Sequence, residues 1–363
     1  MSTTTKINPF EAVAINGLSL QNRLVMAPMT RSRALGHLPN EVMAAYYGQR
    51  ASAGLIITEG VSPSPNGLGY ARIPGIFNEA QIAGWKKVTD AVHEKGGKIF
   101  VQLMHTGRVS HPANMPEDAV VLGPSAIPVE GEIWTDALGM QPYAVPRSMS
   151  AEEIAQTVAE HAQAAKNALA AGFDGAEIHG ANGYLAEQFT NPHVNTREDK
   201  YGGSVHNRLR FLLEVVDAVT KAIGADHVGV RVSPYSTFNS MPAYAETAET
   251  YKALTHEINR RKLLYIHLIE SSARNSDEGR ELLSYIREKF VGIMIVNGAY
   301  ARDTVENVLD AGRADLVSLG VPFISNPDLV QRLRDNLPLN APQPETFYSP
   351  EEKGYTDYPF YDN

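Results

Sequence analysis

Short runs of apolar residues, rich in β-branched side chains and closed by glycine, proline or a polar residue, recur along the chain. They cover residues 23–27, 54–60, 98–105, 173–179, 227–233, 263–270, 292–297 and 314–320. The runs are nearly continuous in their hydrophobicity and do not alternate with polar residues, which is typical of parallel strands covered on both faces. The pattern therefore predicts eight buried strands.

Segments with helical periodicity lie between these runs. They cover residues 41–53, 79–95, 151–171, 205–223, 243–261, 278–289, 301–311 and 326–336. Asn78 and Ser150 stand directly before two of the segments, where a side-chain oxygen caps a helix N-terminus. Gly172 and Gly312 follow apolar helix ends and have the character of C-caps. Each predicted strand is thus paired with a helix.

Eight successive strand and helix units predict a (β/α)8 TIM barrel, in which the last strand closes on the first. A length of 363 residues permits one or two domains, and eight regular units fill the chain without a second. A doubly wound open sheet is the alternative, but no G-x-G-x-x-G follows any of the runs. We therefore predict a single domain over residues 1–363.

Two segments do not belong to this alternation of strands and helices. Residues 106–149, rich in proline and glycine, form a long insertion after the third strand and are a candidate lid over the barrel mouth. Residues 337–363 form a proline- and tyrosine-rich C-terminal tail. Its aromatic residues suggest that the tail docks on the surface.

Composition excludes several classes of function. The chain has no cysteine, so disulfides, thiolate catalysis and thiolate-bound zinc or iron–sulfur centres are absent. The net charge of −9 comes without a basic run, and we expect no nucleic-acid partner. No apolar window is long enough to span a membrane, and the start, MSTTTKINPF, lacks the apolar core of a signal peptide. We expect a cytoplasmic protein.

In barrel enzymes the chemistry gathers where strands end. The residues at these ends are Pro28, Met29, Thr30, Gly60, Gln102, His105, His179, Asn182, Arg231, Asn297, Gly298, Ala299 and Gly320. A hydroxyl, a carboxamide and a guanidinium suit the edge of a planar heterocycle, and glycine-containing turns suit a phosphate. Together they suggest flavin mononucleotide (FMN). A satisfied core amide at Gln102 and an internal ion pair at Arg231 are the alternatives.

The most specific local pattern is His179-x-x-Asn182-x-Tyr184, directly after the fourth strand. A neutral imidazole and a carboxamide can both donate to one substrate oxygen, and the tyrosine can deliver a proton. A structural histidine with a capping asparagine, and a tyrosine packed in a core, are the alternatives. The other histidines have no carboxylate at ligand spacing, so no metal site is predicted.

The sequence resembles the Old Yellow Enzyme family of flavin-dependent ene reductases over nearly its whole length. The stretches that carry the resemblance are NRLVMAPMTRSRA at 22–34, YYGQRASAGLIITEG at 46–60, VQLMHTGR at 101–108, GFDGAEIHGANGYLAEQF at 172–189, NTREDKYGGSVHNRLRFLLEVVDAV at 195–219, VGVRVSP, NPDLVQRL and GYTDYP at 354–359. The branch with a cysteine beside the APM motif at 27–29 is excluded because Met26 stands before the motif, and Thr30 after it fits the classical branch.

The resemblance implies an oxidoreductase whose barrel holds FMN. NADPH reduces the FMN, with NADH as the other candidate, and flavin N5 passes hydride to an α,β-unsaturated carbonyl or nitro compound. It places Thr30 at the flavin C4 carbonyl, Gln102 at the pyrimidine edge and Arg231 near N1. From their place at the strand ends, we expect Pro28 and Gly60 to bind the cofactor as well, and the backbone N–H groups of Gly298, Ala299 and Gly320 to be available to its phosphate.

On the substrate side, the resemblance assigns the activating oxygen to His179 and Asn182, and the proton for the α-carbon to Tyr184. It also implies that Tyr70 and Tyr355 line the substrate cavity. Met104 is a departure, since an aromatic residue is frequent there in the family, and we expect it to widen or soften the substrate cavity. The partner is a small activated alkene, and we expect a monomer or a small homo-oligomer.

One departure from the family pattern concerns the FMN phosphate. Where the family reads G-R-x-F-I-A-N-P-D-L, this chain has Val321 in place of the arginine that clasps the phosphate. We therefore expect weakened FMN binding, with partial loss during purification. The departure also raises two alternatives: a biosynthetic member that catalyses a redox-neutral isomerisation or cyclisation, and a barrel that has lost its flavin.

Overall fold

A computed structural model describes residues 6–15 and 17–361. Eight parallel strands close into a barrel. They are β1 (Leu24–Met26), β2 (Leu55–Val61), β3 (Ile99–Leu103), β4 (Gly175–Gly180), β5 (Val228–Val232), β6 (Tyr265–Ile269), β7 (Ile293–Asn297) and β8 (Leu316–Leu319). The last strand pairs with the first, with Val317 opposite Leu24. The predicted barrel is confirmed; residues 1–5, 16, 362 and 363 of the predicted domain lie outside the described residues.

Helices connect the strands on the outside of the barrel. They are α1 (Glu41–Gln49), α2 (Glu79–His93), α3 (Ala151–Ala170), α4 (Leu185–Thr190), α5 (Val205–Ile223), α6 (Thr247–Arg260), α7 (Asp277–Lys289), α8 (Arg302–Asp310), α9 (Val321–Ser325) and α10 (Leu329–Arg334). The short helices α4 and α9 were not predicted, because five or six residues are too few to establish a helical period. Both follow the carboxyl end of a strand, where the candidate site residues lie.

The predicted helix caps are confirmed. The Asn78 side chain accepts a hydrogen bond from Gln81 N at 2.9 Å. Ser150 accepts from Glu153 N, and Glu153 accepts from Ser150 N, which completes a capping box. Gly172 and Gly312 have φ of 92° and 65°, a region that glycine enters without the steric cost of a side chain.

The amino-terminal end of the barrel is closed by an antiparallel pair of strands, Val13–Ile15 and Leu18–Leu20. Their apolar side chains pack against the inward residues Val25, Ile57 and Phe100. Strands of three residues give too little periodicity to be recognised in the sequence, so this cover was not predicted. Because it closes the amino-terminal end, access to the barrel interior is from the carboxyl end.

The insertion at 106–149 is more regular than its composition suggested. Glu132–Thr135 and Gly139–Pro142 form an antiparallel hairpin, and Leu122–Gly123 pairs with Arg147–Ser148. The side-chain amide of Asn114 donates to Gly69 O at 3.0 Å and to Trp134 O at 2.8 Å. These bonds hold the hairpin beside the loop that follows β2.

The C-terminal tail packs against the barrel through buried arginines. Arg33 donates to the carbonyl oxygens of Thr346, Phe347 and Glu351 at 2.8, 2.7 and 3.0 Å. Arg31 donates to Gly354 O at 2.7 Å. The tail is therefore docked through its backbone, as its composition suggested. Over the part of the chain that the structure describes, no helix is both long and apolar enough to cross a membrane.

Candidate active site

A cavity of about 950 Å³ opens at the carboxyl ends of the barrel strands. The predicted site residues that line it are Pro28, Thr30, Gly60, Tyr70, Gln102, Met104, His179, Asn182, Tyr184 and Arg231. These residues come from distant parts of the sequence and meet here because parallel strands present their carboxyl ends on one edge. The cavity is therefore the candidate active site.

Arg231 on β5 places a buried positive charge in the cavity wall, with 5% of the residue exposed. Its Nη2 donates to Asn297 Oδ1 at 3.1 Å, and its Nε has no hydrogen-bond partner among the described residues. Burial lowers the pKa of the guanidinium, although Glu177 counteracts it. A buried donor without a partner is costly, so this nitrogen is suited to a ligand that accepts a hydrogen bond.

A buried carboxylate supports this wall from within the barrel. Glu177 accepts from Gln102 Nε2 at 2.8 Å and lies 2.8 Å from His267 Nδ1. Burial alone would raise the pKa of Glu177, but His267, Arg231 and Gln102 outweigh it, so the pKa is lowered. Glu177 and His267 were not predicted as site residues. The available signal was a charged or titratable residue inside a strand that is otherwise apolar.

The protonation state of His179 follows from its surroundings. Its Nδ1 accepts a hydrogen bond from the backbone N–H of Ala181 at 3.3 Å, which leaves the proton on Nε2. Burial, followed by the charges of Arg231 and His267, holds the pKa of His179 well below its usual value. The imidazole is thus neutral near pH 7 and has a donor to offer in the cavity.

Asn182 is held in a left-handed backbone conformation, with φ of 57°. Its backbone N–H donates to Ser233 Oγ at 2.9 Å, and its carbonyl accepts from Asn239 Nδ2 at 2.8 Å. Asparagine tolerates this region better than most residues. Buried Glu187 braces the same turn by accepting from Gly183 N at 2.6 Å, and burial raises the pKa of Glu187 to about 7.

Tyr184 lies beside both donors. Its ring meets the His179 ring edge-on, with centroids 4.9 Å apart, and its hydroxyl lies 3.1 Å from that of Tyr70. Burial raises the pKa of Tyr184 to about 12. The hydroxyl therefore keeps its proton throughout the neutral range and is available as a general acid.

Tyr355 does not line the cavity, contrary to expectation. Its ring is fully buried and stacks on Tyr46, with centroids 4.0 Å apart and an interplanar angle of 8°. The guanidinium carbon of Arg33 lies 4.8 Å from the Tyr355 ring centroid. The arginines that bind the tail draw this tyrosine into a cation–aromatic stack behind the cavity. Other tail residues line the cavity, namely Glu345, Tyr348, Ser349 and Pro350.

The residues predicted to bind the FMN phosphate lie apart from those predicted to bind the FMN ring. Gly298, Ala299 and Gly320 follow the neighbouring strands β7 and β8, but they lie outside the lining of the cavity. Gly298 and Gly320 are partly exposed and Ala299 is exposed, so their backbone is open to solvent. Val321 is 47% exposed where the resemblance implies an arginine. The residues present thus fit the ring of FMN well and offer its phosphate backbone groups and an apolar side chain.

Several cavity residues were not identified from the sequence. The insertion contributes Ile133, Trp134 and Tyr143, and the loop after β5 contributes Phe238 and Asn239. The only signal was that aromatic residues occur in loops that a barrel would place at its mouth. Among the residues that the structure describes, no group of three or more histidine, aspartate or glutamate side chains is placed to hold a metal ion.

A closed parallel barrel whose carboxyl-end cavity is lined by Arg231, His179, Asn182 and Tyr184 is typical of flavin-dependent barrel oxidoreductases. Residues 9–340 match the model of the NADH:flavin oxidoreductase / NADH oxidase family. The chain belongs to this family, which confirms the resemblance to the Old Yellow Enzyme group of FMN-dependent ene reductases.

Individual relatives match over nearly the whole chain. A probable flavin mononucleotide-dependent alkene reductase of Leishmania infantum is 42% identical, with 95% of each chain covered. The 12-oxophytodienoate reductase 7 of Oryza sativa subsp. japonica is 44% identical over 94% of this chain and 91% of that protein. The structure of morphinone reductase in complex with tetrahydroNAD has a TM-score of 0.93 at 42% identity, with 98% of each chain covered.

Proposed function

We propose that the protein reduces activated C=C bonds of α,β-unsaturated carbonyl or nitro compounds with electrons from a nicotinamide dinucleotide. The resemblance implies NADPH as the reductant, with NADH as the other candidate. One observation carries the proposal: the Nε2 proton of His179, the amide of Asn182 and the hydroxyl of Tyr184 share a cavity with the buried donor of Arg231.

When bound, FMN supplies the hydride-transfer chemistry that the protein side chains lack. Thr30, Gln102 and Arg231 would hold its ring, and Pro28 and Gly60 would face it. A Cβ at Gly60 would lie 2.4 Å from Met104 Sδ, so the glycine gives the Met104 side chain its place in the cavity wall. A positive charge at Arg231 favours any negative charge that develops on the ring beside it. Backbone groups of Gly298, Ala299 and Gly320 would meet the phosphate.

His179 and Asn182 would bind the carbonyl or nitro oxygen of the alkene. Both donors are neutral, so they polarise the double bond without a charge that must be desolvated. The positions of both are fixed, His179 by the strand register opposite Arg231 and Asn182 by the turn braced on Ser233. The insertion hairpin at the cavity mouth would act as the lid that limits access of water.

Tyr184 would donate the proton to the α-carbon. Its raised pKa keeps the proton in place until a strongly basic carbon develops beside it. The tyrosinate left behind would be stabilised by a hydrogen bond from the Tyr70 hydroxyl, 3.1 Å away. Tyr70 is thus proposed as a positioning residue for the acid, while Met104 gives the substrate cavity a flexible apolar wall.

Steady-state turnover with cyclohexenone tests the proposal. We expect one nicotinamide to be oxidised for each molecule of cyclohexanone formed. A product formed without nicotinamide consumption would favour the redox-neutral alternative instead. If the protein shows no flavin absorbance after incubation with FMN and removal of unbound FMN, the alternative of a barrel that has lost its flavin would be favoured.

A further inference from the structure

The part of the insertion that lies between Arg108 and Arg147 carries charged residues of one sign only. Between Arg108 and Arg147 the chain contains neither lysine nor arginine. The carboxylates in the same stretch are Glu117, Asp118, Glu130, Glu132 and Asp136. The loop after β5, 234–242, also contributes to the cavity lining through Phe238 and Asn239, and it has no basic residue. Any long ligand that leaves the cavity therefore passes through a negative potential.

The charged residues that line the cavity show the same bias. Glu132, Asp136 and Glu345 are exposed acidic residues at its mouth. The basic residues in the lining are Arg72 and Arg231. Arg231 is buried in the strand-end wall, beside His179, and is proposed above to meet the cofactor ring. Arg72 is therefore the cation near the mouth that an anionic ligand would contact. Its use for this purpose depends on whether its other contacts leave it free.

Arg72 is already engaged by three different segments. Its Nε donates to Ser32 O at 3.0 Å, and its Nη2 donates to Tyr348 O at 2.7 Å. Its Nη1 forms an ion pair with Asp136 of the hairpin. Only 10% of its side chain is exposed. The guanidinium thus ties the hairpin and the tail to the barrel and would have to break these contacts to receive a phosphate.

We propose that this acidic mouth makes NADH, and not NADPH, the preferred reductant. The inference rests on the proposed function, because it concerns the ligand that reduces the flavin. The nicotinamide ring must enter the cavity, so the adenosine half of the dinucleotide extends over the mouth. NADPH carries an additional phosphate of about −1.5 to −2 charges there. Sites that accept the 2′-phosphate provide a free arginine for it. Among the described residues that line this cavity, Arg72 is engaged by other groups and Arg231 is buried.

Binding of unreactive analogues tests the preference without turnover. The FMN-loaded protein is titrated by calorimetry with tetrahydroNAD and, separately, with tetrahydroNADP at low ionic strength. We expect a Kd for tetrahydroNAD about tenfold below that for tetrahydroNADP, a difference of ~1.4 kcal/mol. The ratio should shrink in high salt, because exposed charges are screened. Equal binding, or tighter binding of tetrahydroNADP, would overturn the inference.

Charge-neutral variants locate the cause. The double variant Glu132→Gln with Glu345→Gln should tighten tetrahydroNADP severalfold and leave tetrahydroNAD nearly unchanged. Glu117→Gln is the matched control, since Glu117 is an exposed residue of the same insertion outside the cavity lining. An equal effect of the control would show that the mouth residues are not the cause. If Arg72→Gln weakens tetrahydroNADP alone, Arg72 receives the phosphate and the inference is wrong.

Failure of this inference is distinguishable from failure of the proposed function. Bleaching of the flavin by both nicotinamides, with NADPH favoured, would overturn the preference and leave the ene-reductase proposal intact. Absence of binding and of bleaching with both nicotinamides would overturn both.

Discussion

The hydroxyl oxygens of Tyr184 and Tyr70 lie 3.1 Å apart, within a cavity that also contains the donor of His179. One tyrosine is therefore placed to lose a proton while the other stabilises the resulting charge. The proposed proton transfer from Tyr184 belongs to alkene reduction and not to flavin reduction, so the two half-reactions should respond differently to the loss of its hydroxyl.

Tyr184→Phe should slow alkene reduction by about 10²- to 10⁴-fold, the usual contribution of a general acid. Reduction of the flavin by nicotinamide should be nearly unaffected, because that half-reaction needs no proton from Tyr184. Stopped-flow absorbance of the two half-reactions measures both rates. Equal impairment of the two half-reactions would show that Tyr184 is not the proton donor. Tyr70→Phe should have a smaller effect in the same direction.

The raised pKa of Tyr184 also predicts a pH profile. The acid is active while protonated, so the rate of the alkene half-reaction should be flat through the neutral range. It should fall only as the pH approaches about 12, where the hydroxyl loses its proton. A single-turnover rate that declines between about pH 8 and 10, near the ordinary pKa of tyrosine, would contradict this.

Substitution of the oxygen-binding pair should weaken ligands that carry a carbonyl or phenol oxygen. His179→Ala and Asn182→Ala each remove a hydrogen bond worth about 0.5–1.5 kcal/mol, or about two- to thirteenfold in affinity. Titration of the flavin absorbance with a phenol measures this affinity. The FMN content should stay the same in both variants. Unchanged phenol affinity would mean that neither donor faces the bound ligand.

The exposed valine at the phosphate end predicts that FMN is held more weakly than an arginine would hold it. Val321→Arg should restore a charge-assisted hydrogen bond of about 1.5–3 kcal/mol and tighten FMN about thirteen- to 160-fold. Fluorescence of released FMN during dilution measures the dissociation constant. Val321→Leu is the matched control and should change little. Full occupancy of the wild-type protein after dialysis, with no gain in Val321→Arg, would show that other groups compensate.

The position of Tyr355 predicts that its hydroxyl is dispensable. The oxygen is buried without a hydrogen-bond partner among the described residues, so Tyr355→Phe should preserve stability and alkene kinetics. Tyr355→Ala should cost about 3–5 kcal/mol in the free energy of unfolding, because it removes a stacked, fully buried ring. Thermal unfolding and steady-state kinetics check both. If Tyr355→Phe loses alkene affinity while its stability is unchanged, Tyr355 contacts the substrate after all.

The barrel could be predicted from the sequence because its eight strands are apolar runs and its helices have helical periodicity, and both patterns are local. That Arg231, His179 and Asn182 would line one cavity could also be predicted, since polar residues at strand ends of a barrel converge by topology. The prediction for Tyr355 was wrong, because the stack on Tyr46 depends on arginines from a distant part of the chain. Glu177 and His267 were missed for the same reason, as their pairing joins two strands 90 residues apart in the sequence.

The most direct test of the account is an anaerobic two-step experiment on the FMN-loaded protein. A nicotinamide dinucleotide should bleach the visible absorbance of the flavin, and cyclohexenone added next should restore it with formation of cyclohexanone. A bleached flavin that no activated alkene reoxidises would contradict the central claim that this cavity transfers hydride to a polarised double bond.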